Sequence, residues 1–151
     1  RDRVQVAQSR QQLMTAIVQA IVGAMRRDPK RPDAEVGLKT PSIHSDLLWT
    51  LHSNNNIAEA LRRFGVSRTT RSLILVRVAP PLDAGELVQH MTQLVDGTLQ
   101  TRGLSLPSPA LAWSELGTAY KIQDTPAFQH LDTSQVDALI CSMVASKYVG
   151  A

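Results

Sequence analysis

His44 and His52, eight residues apart, and the single cysteine, Cys141, are the side chains whose types invite metal or nucleophilic chemistry. A zinc site draws on three or four Cys, His or carboxylate ligands, and these histidines have neither a cysteine partner nor a second histidine at helical spacing. They read as capping or surface groups. Cys141 follows Ile140 in an apolar helical stretch with no flanking histidine or basic group to favour a thiolate, so it reads as a buried, inert thiol. The eight glycines are scattered, without the Walker or dinucleotide spacing that cradles phosphate. Glu59, Glu86 and Asp132 fall where helix caps need carboxylates. No catalytic residue, metal ligand or cofactor is therefore assigned. Because active sites assemble from distant residues, this counts only weakly against an enzyme.

The basic residues are the other candidates: Arg26-Arg27, Lys30-Arg31, Lys39, Arg62-Arg63, Arg68 and Arg71. Up to Arg77 there are 13 basic and 6 acidic residues, a local charge of +7, whereas Val78 to Ala151 holds 3 and 7, a charge of −4. A local field of this kind attracts a polyanion more effectively than the net +3 suggests. Twelve of the sixteen basic residues are arginine, which suits bidentate phosphate contacts. Arginine pairs at helix C-termini also satisfy the helix dipole, so a solvated surface competes with a phosphate-binding face. With only six aromatic residues to stack bases, recognition of backbone and shape is favoured over base reading.

Several elements must position these groups. Ser9 caps a helix whose Leu13, Met14, Ile17, Val18, Ile21, Val22 and Met25 form a stripe expected to face the core. Asp28-Pro-Lys-Arg-Pro-Asp33 then breaks the helix into an exposed basic loop. Residues 4–6 alternate apolar and polar, which permits a short strand or an extended lead-in, and Asp46–His52 and Ser72–Ala79 are expected as strands, the last closed by Pro80-Pro81. Asn56-Ile-Ala-Glu59 has the form of a capping box opening a helix through Ile57, Ala60, Leu61 and Phe64, with Gly65 as a left-handed stop. Asp83–Glu86 repeats the pattern before a helix that Gly97 would end. Residues 98–112 read as an irregular connection and Ser114–Lys121 as a short helix. A last helix begins near Asp132 and carries Val136, Leu139, Ile140, Met143 and Val144.

The 151 residues, 43% hydrophobic and 19% charged, fit one globular domain over 1–151. No apolar run approaches the roughly 20 residues that span a bilayer. One cysteine precludes an internal disulfide, and the expectation is a cytoplasmic and nuclear protein. A start at Arg1, without a methionine or an apolar leader, suggests that the chain lacks its natural beginning.

The run Asn54-Asn-Asn-Ile-Ala-Glu-Ala-Leu-Arg-Arg-Phe-Gly65, followed by Ser72-Leu-Ile-Leu-Val76, resembles the TPRKB family, the small kinase-binding subunit of the KEOPS (EKC) complex. Leu38–Asp46 is similar to that family's Lys-Thr-x-x-Leu-His-Ser-Glu segment, Ala119–Ile122 to its Tyr-Lys-Leu, Val136–Lys147 to its closing helix and Leu13–Ala20 to its Gln-Leu-x-x-Ala-x-x-Ala helix. Three departures stand out. The family's opening strand and helix are missing, Pro29–Val36 looks like an insertion, and Pro41 replaces a usual Arg or Leu-like position.

The resemblance implies an α/β (α+β) fold in which helices surround a small, mainly antiparallel or mixed sheet. It implies no enzyme and no cofactor. Family members bind a small atypical kinase/ATPase within KEOPS, which makes the threonylcarbamoyl modification of the tRNA adenosine beside the anticodon, and are thought to support that partner's activity. The expected partner-binding patch is Asn55, Asn56, Ile57, Ala58 and Leu61, the asparagines giving hydrogen bonds at the rim; the competing possibility is that Ile57 and Leu61 belong to the core. Lys39, Arg62, Arg63, Arg71 and Lys147 are the candidate tRNA phosphate contacts. The alternatives are a stand-alone basic nucleic-acid-binding module and, behind it, an enzyme using His44 or His52.

Overall fold

Among the described residues the chain opens on a cap. Ser9 is extended, and its Oγ accepts from the Gln12 amide at 3.0 Å, satisfying one of the free N–H groups that open α1 (Arg10–Met25). The computed structural model describes residues 9–26, 37–71, 73–78, 83–99, 117–126 and 130–149. Within them lie four further helices: α2 (Ile43–Leu51), α3 (Ile57–Phe64), α4 (Ala84–Thr92) and α5 (Thr133–Ala145).

α1 turns a different face inward from the one its apolar residues suggest. Gln12, Ala16, Ala20 and Gly23 are its buried residues, while Met14, Val18, Val22 and Met25 are exposed and Leu13 and Ile17 flank the core. Small side chains let neighbouring helices approach closely, and α1 packs against both α2 and α5. Gln12 adds a polar tie, its Nε2 donating to Asp137 Oδ1 on α5 at 2.9 Å.

The expected sheet is overturned: among the described residues the fold is helical, with no strand or ladder. Asp46–His52 lies mostly in α2, where Asp46, Leu47, Trp49, Thr50 and Leu51 are buried in a helical rather than a two-residue repeat. A reciprocal capping box starts α2: Ser42 Oγ accepts from the Ser45 amide, and Ser45 Oγ from the Ser42 amide, both at 3.2 Å. Residues 73–78 pair with no strand among the described residues, although Val76 packs on the core. Residues 4–6, the loop 28–36 and Pro80-Pro81 lie outside the described residues.

Two expected helix stops differ as well. Gly65 caps α3 with φ −76° and ψ 164°, extended rather than left-handed, and what requires glycine there is space, since a Cβ would collide with the Leu61 carbonyl oxygen. α4 ends at Thr92, ahead of Gly97, and buries none of its residues. The start of α5 follows the sequence: Asp132 and Gln135 form a capping box at 2.9 Å in both directions.

The core gathers Ala16 and Ala20 of α1, Leu47 and Leu51 of α2, Val136, Ile140 and Val144 of α5, and Ala119 and Tyr120 of the helical turn 117–120. Tyr120 reaches across it to donate to the Leu51 carbonyl at 2.8 Å, so its polar end is satisfied inside the apolar cluster. α3 packs on α2 through the completely buried Ala60 and the partly buried Phe64.

Candidate functional site

Three successive asparagines open α3, and each has a separate task. Asn56 is the N-cap, its Oδ1 accepting from the Glu59 amide at 3.2 Å. The Glu59 carboxylate does not appear as the direct reciprocal partner that a simple capping box would give; Asn54 stands between as a relay. Asn54 Nδ2 donates to Glu59 Oε2 at 2.7 Å, and Asn54 Oδ1 accepts from the Asn56 amide at 2.9 Å. The Asn54 amide hydrogen bond is the main cause that lowers the Glu59 pKa below the ordinary carboxylate value. The Asn55 carbonyl accepts from Trp49 Nε1 at 3.3 Å, and Ser53 Oγ donates to the Ala119 carbonyl at 2.5 Å. The connector from α2 to α3 is thus tied to two neighbouring elements.

This corner presents the proposed patch outward. Asn55, Asn56 and Ala58 are exposed, Ile57 is half-buried, and Leu61 is 46% exposed. Neither Ile57 nor Leu61 belongs to the core cluster or to the apolar side chains packed around it. On α3 the inward positions are Ala60 and Phe64; Ile57, three residues before Ala60 and seven before Phe64, lies half-buried at the edge of that stripe, Leu61 flanks it with its side chain exposed, and Ala58 faces away from it.

The five candidate phosphate contacts occupy different settings. Arg62 and Arg63 form the last turn of α3; Arg62 meets Glu59 at 3.6 Å in an exposed i,i+3 pair of small energetic consequence. Arg71 is exposed beyond α3, and Lys39 is exposed just before α2. The Lys39 and Thr40 amides donate to Asp46 Oδ1 at 2.8 and 2.9 Å, so the Lys39 backbone is held by a fully buried carboxylate whose pKa burial pushes upward. Lys147 is engaged instead with protein carbonyls. Its Nζ donates to the oxygens of His52 and Asn54 at 2.8 and 2.7 Å and lies 4.8 Å from the Trp49 ring centroid, while burial lowers its pKa to about 8.

The two histidines are separated in role. His52 caps α2, is buried, accepts from the Asn54 amide at Nδ1 at 3.2 Å and meets the Phe64 ring edge-to-face at 6.1 Å. Burial lowers its pKa. His44 is exposed, and its Nε2 accepts from the Val78 amide at 3.3 Å. Cys141 is buried, with its thiol pKa raised by burial. Among the described residues no three His, Cys, Asp or Glu side chains gather to hold a metal ion.

Sequence reasoning passed over Asn54 as relay and Trp49 and Ser53 as supports. The three-asparagine run was the available local signal. The Lys147 partners had none, being 95 and 93 residues away in the chain.

Comparison with known proteins places this geometry in a context. A family model described as "Kinase binding protein CGI-121" matches residues 4–148. A protein of Gibberella zeae named EKC/KEOPS complex subunit CGI121 is 34% identical over 99 residues, 61% of this chain and 46% of that protein. A protein of the same name from Cryptococcus neoformans is 31% identical over 113 residues, 74% of this chain and 48% of that protein. A Neurospora crassa relative, again so named, is 24% identical over 130 residues, 72% of this chain and 63% of that protein. The chain spans about half the length of the first two of these curated relatives. No solved structure matches it.

Proposed function

The chain belongs to the CGI-121 family of kinase-binding proteins, the family its 54–65 run resembles, and on that premise we propose that it is a non-catalytic subunit of the EKC/KEOPS complex. It binds the small atypical kinase/ATPase of that complex through the outward side of α3, supports that partner's activity and so contributes to threonylcarbamoyl modification of tRNA. The observation that carries this reading is the exposure of Leu61 and Ala58 beside the half-buried Ile57, outside the core and rimmed by Asn55 and Asn56. An apolar side chain of this kind, next to hydrogen-bonding groups in a rigid corner, suits the centre of a protein interface. The subunit acts by binding, favouring one conformation of the partner over another, and works in the cytoplasm and nucleus.

Leu61→Asp tests the reading because a substitution at a half-exposed position changes fold stability by little, typically within about 0.5 kcal/mol. Calorimetry against the kinase should show affinity reduced by about tenfold or more, with an unchanged circular dichroism spectrum. Ile57→Asp should act in the same direction. Wild-type affinity in both folded variants sinks the α3 patch. A second reading, direct contact with tRNA phosphates, is favoured by the exposed Arg62 on the same helix.

A further inference from the structure

The α2–α3 connector is held by a residue from the far end of the chain. Lys147 lies two positions beyond α5, yet its Nζ reaches the carbonyls of His52 and Asn54 at 2.8 and 2.7 Å. Both carbonyls lie past the last residue of α2, where no helix bond supplies a donor, and charge-assisted bonds to them are stronger than neutral ones. The ammonium sits over the Trp49 ring, whose Nε1 also donates to the Asn55 carbonyl.

The chain of bonds does not stop at Asn54. That residue's carbonyl is fixed by Lys147, while its side chain holds both Glu59 Oε2 and the Asn56 amide, and Asn56 caps the Glu59 amide. We propose that Lys147 is a positioning residue for the α3 docking face: from the chain's C-terminal end it sets, through Asn54, the place at which α3 begins and hence where Ile57, Ala58 and Leu61 are presented. The docking role rests on the kinase-binding reading of α3 given above; the bond network does not. It assigns Lys147 to the protein's own carbonyls rather than to a phosphate, and it makes the last turn of the chain a support for a surface on α3.

Two variants of the full chain test this. Lys147→Met keeps an unbranched, flexible side chain and removes every donor; Lys147→Arg keeps a cation with several N–H groups that can serve two carbonyls and lie on an indole. Amide hydrogen exchange reads the corner without any partner, and calorimetry against the kinase, at a temperature where both variants are folded, reads the docking face. In Lys147→Met the amides of Asn56 and Glu59 should exchange at least about tenfold faster while α1 and α5 keep their protection, and kinase affinity should fall by about tenfold. Lys147→Arg should recover most of both effects. Unchanged protection at Asn56 and Glu59 overturns the proposal, and so does a uniform rise in exchange across all helices, which marks only a loss of global stability. Faster local exchange with unaltered affinity overturns the docking role. If the wild-type chain itself fails to bind the kinase, the α3 reading fails and takes the docking role with it, while local exchange at the corner still decides whether Lys147 sets the start of α3.

Discussion

At the scale of single residues, the corner before α3 joins a buried imidazole to a backbone amide. His52 Nδ1 accepts from the Asn54 amide, which requires that nitrogen to be unprotonated, and burial independently lowers the His52 pKa below 6.5. The unfolded chain takes up a proton near pH 6.5 and the folded chain resists it. Stability is therefore full above 6.5 and falls as pH drops from 6.5 towards the folded-state value. The melting temperature should be lower at pH 5.5 than at pH 7.5, and His52→Gln, which does not titrate, should flatten that dependence. An identical pH slope in the two proteins would remove His52 as its source. Asp46 acts in the opposite sense and at lower pH: burial raises its carboxyl above 3.8, so its contribution declines as pH rises from 3.8 towards the raised value. Asn56 was legible in the sequence as a cap because capping joins residues three apart. The bonds of Asn54 to Glu59 and of Lys147 to His52 and Asn54 were not, because spacing rules for caps carry no information about a relay or about partners across the fold.

At the scale of elements, α1 shows how packing overrides pattern. Its apolar residues outnumber what one face can bury, and the face chosen is the one whose small residues admit close neighbours. Gly23 is a tight point: a Cβ there would come within 2.6 Å of Tyr148 Oη and 2.7 Å of Cζ, and a Cβ on Gly37, which has φ +132°, would collide with the Gly23 carbonyl oxygen. The Tyr148 ring is itself fixed, edge-to-face on Trp49 at 5.5 Å. Gly23→Ala gains about 1 kcal/mol of helix propensity but incurs overpacking of roughly 1–3 kcal/mol. A net destabilisation of about 1 kcal/mol should appear in urea unfolding, with stabilisation as the outcome that contradicts this packing. The same limit explains α2. Seven residues rich in leucine and tryptophan fit a strand as readily as two helical turns, and the deciding signal, the reciprocal Ser42–Ser45 box, lies upstream of the window that looked like a strand. Ser9, Asn56, Asp83 and Asp132 were legible as helix starts because each carries its capping acceptor locally.

At the scale of the whole molecule, the charge split acquires a location. The +7 half contains α1, α2 and α3, and its arginines at 62 and 63 end the helix that carries the apolar patch. A polyanion would be drawn to this half, whereas a protein partner docking on Leu61 would meet the same arginines at its rim. Salt separates the two cases. Each phosphate neutralised contributes about 0.7–0.9 to the fall of log affinity with log salt, so Arg62→Gln with Arg63→Gln should flatten the slope for tRNA binding by roughly 1.5 if both are contacts. Lys147→Met should leave that slope unaltered, because its ammonium is engaged by the carbonyls of His52 and Asn54. A counterion slope that does not respond to the arginine pair excludes Arg62 and Arg63 from the phosphate contacts. One that drops on replacing Lys147 returns this lysine to them, and with it removes the assignment of that charge to the α2–α3 corner.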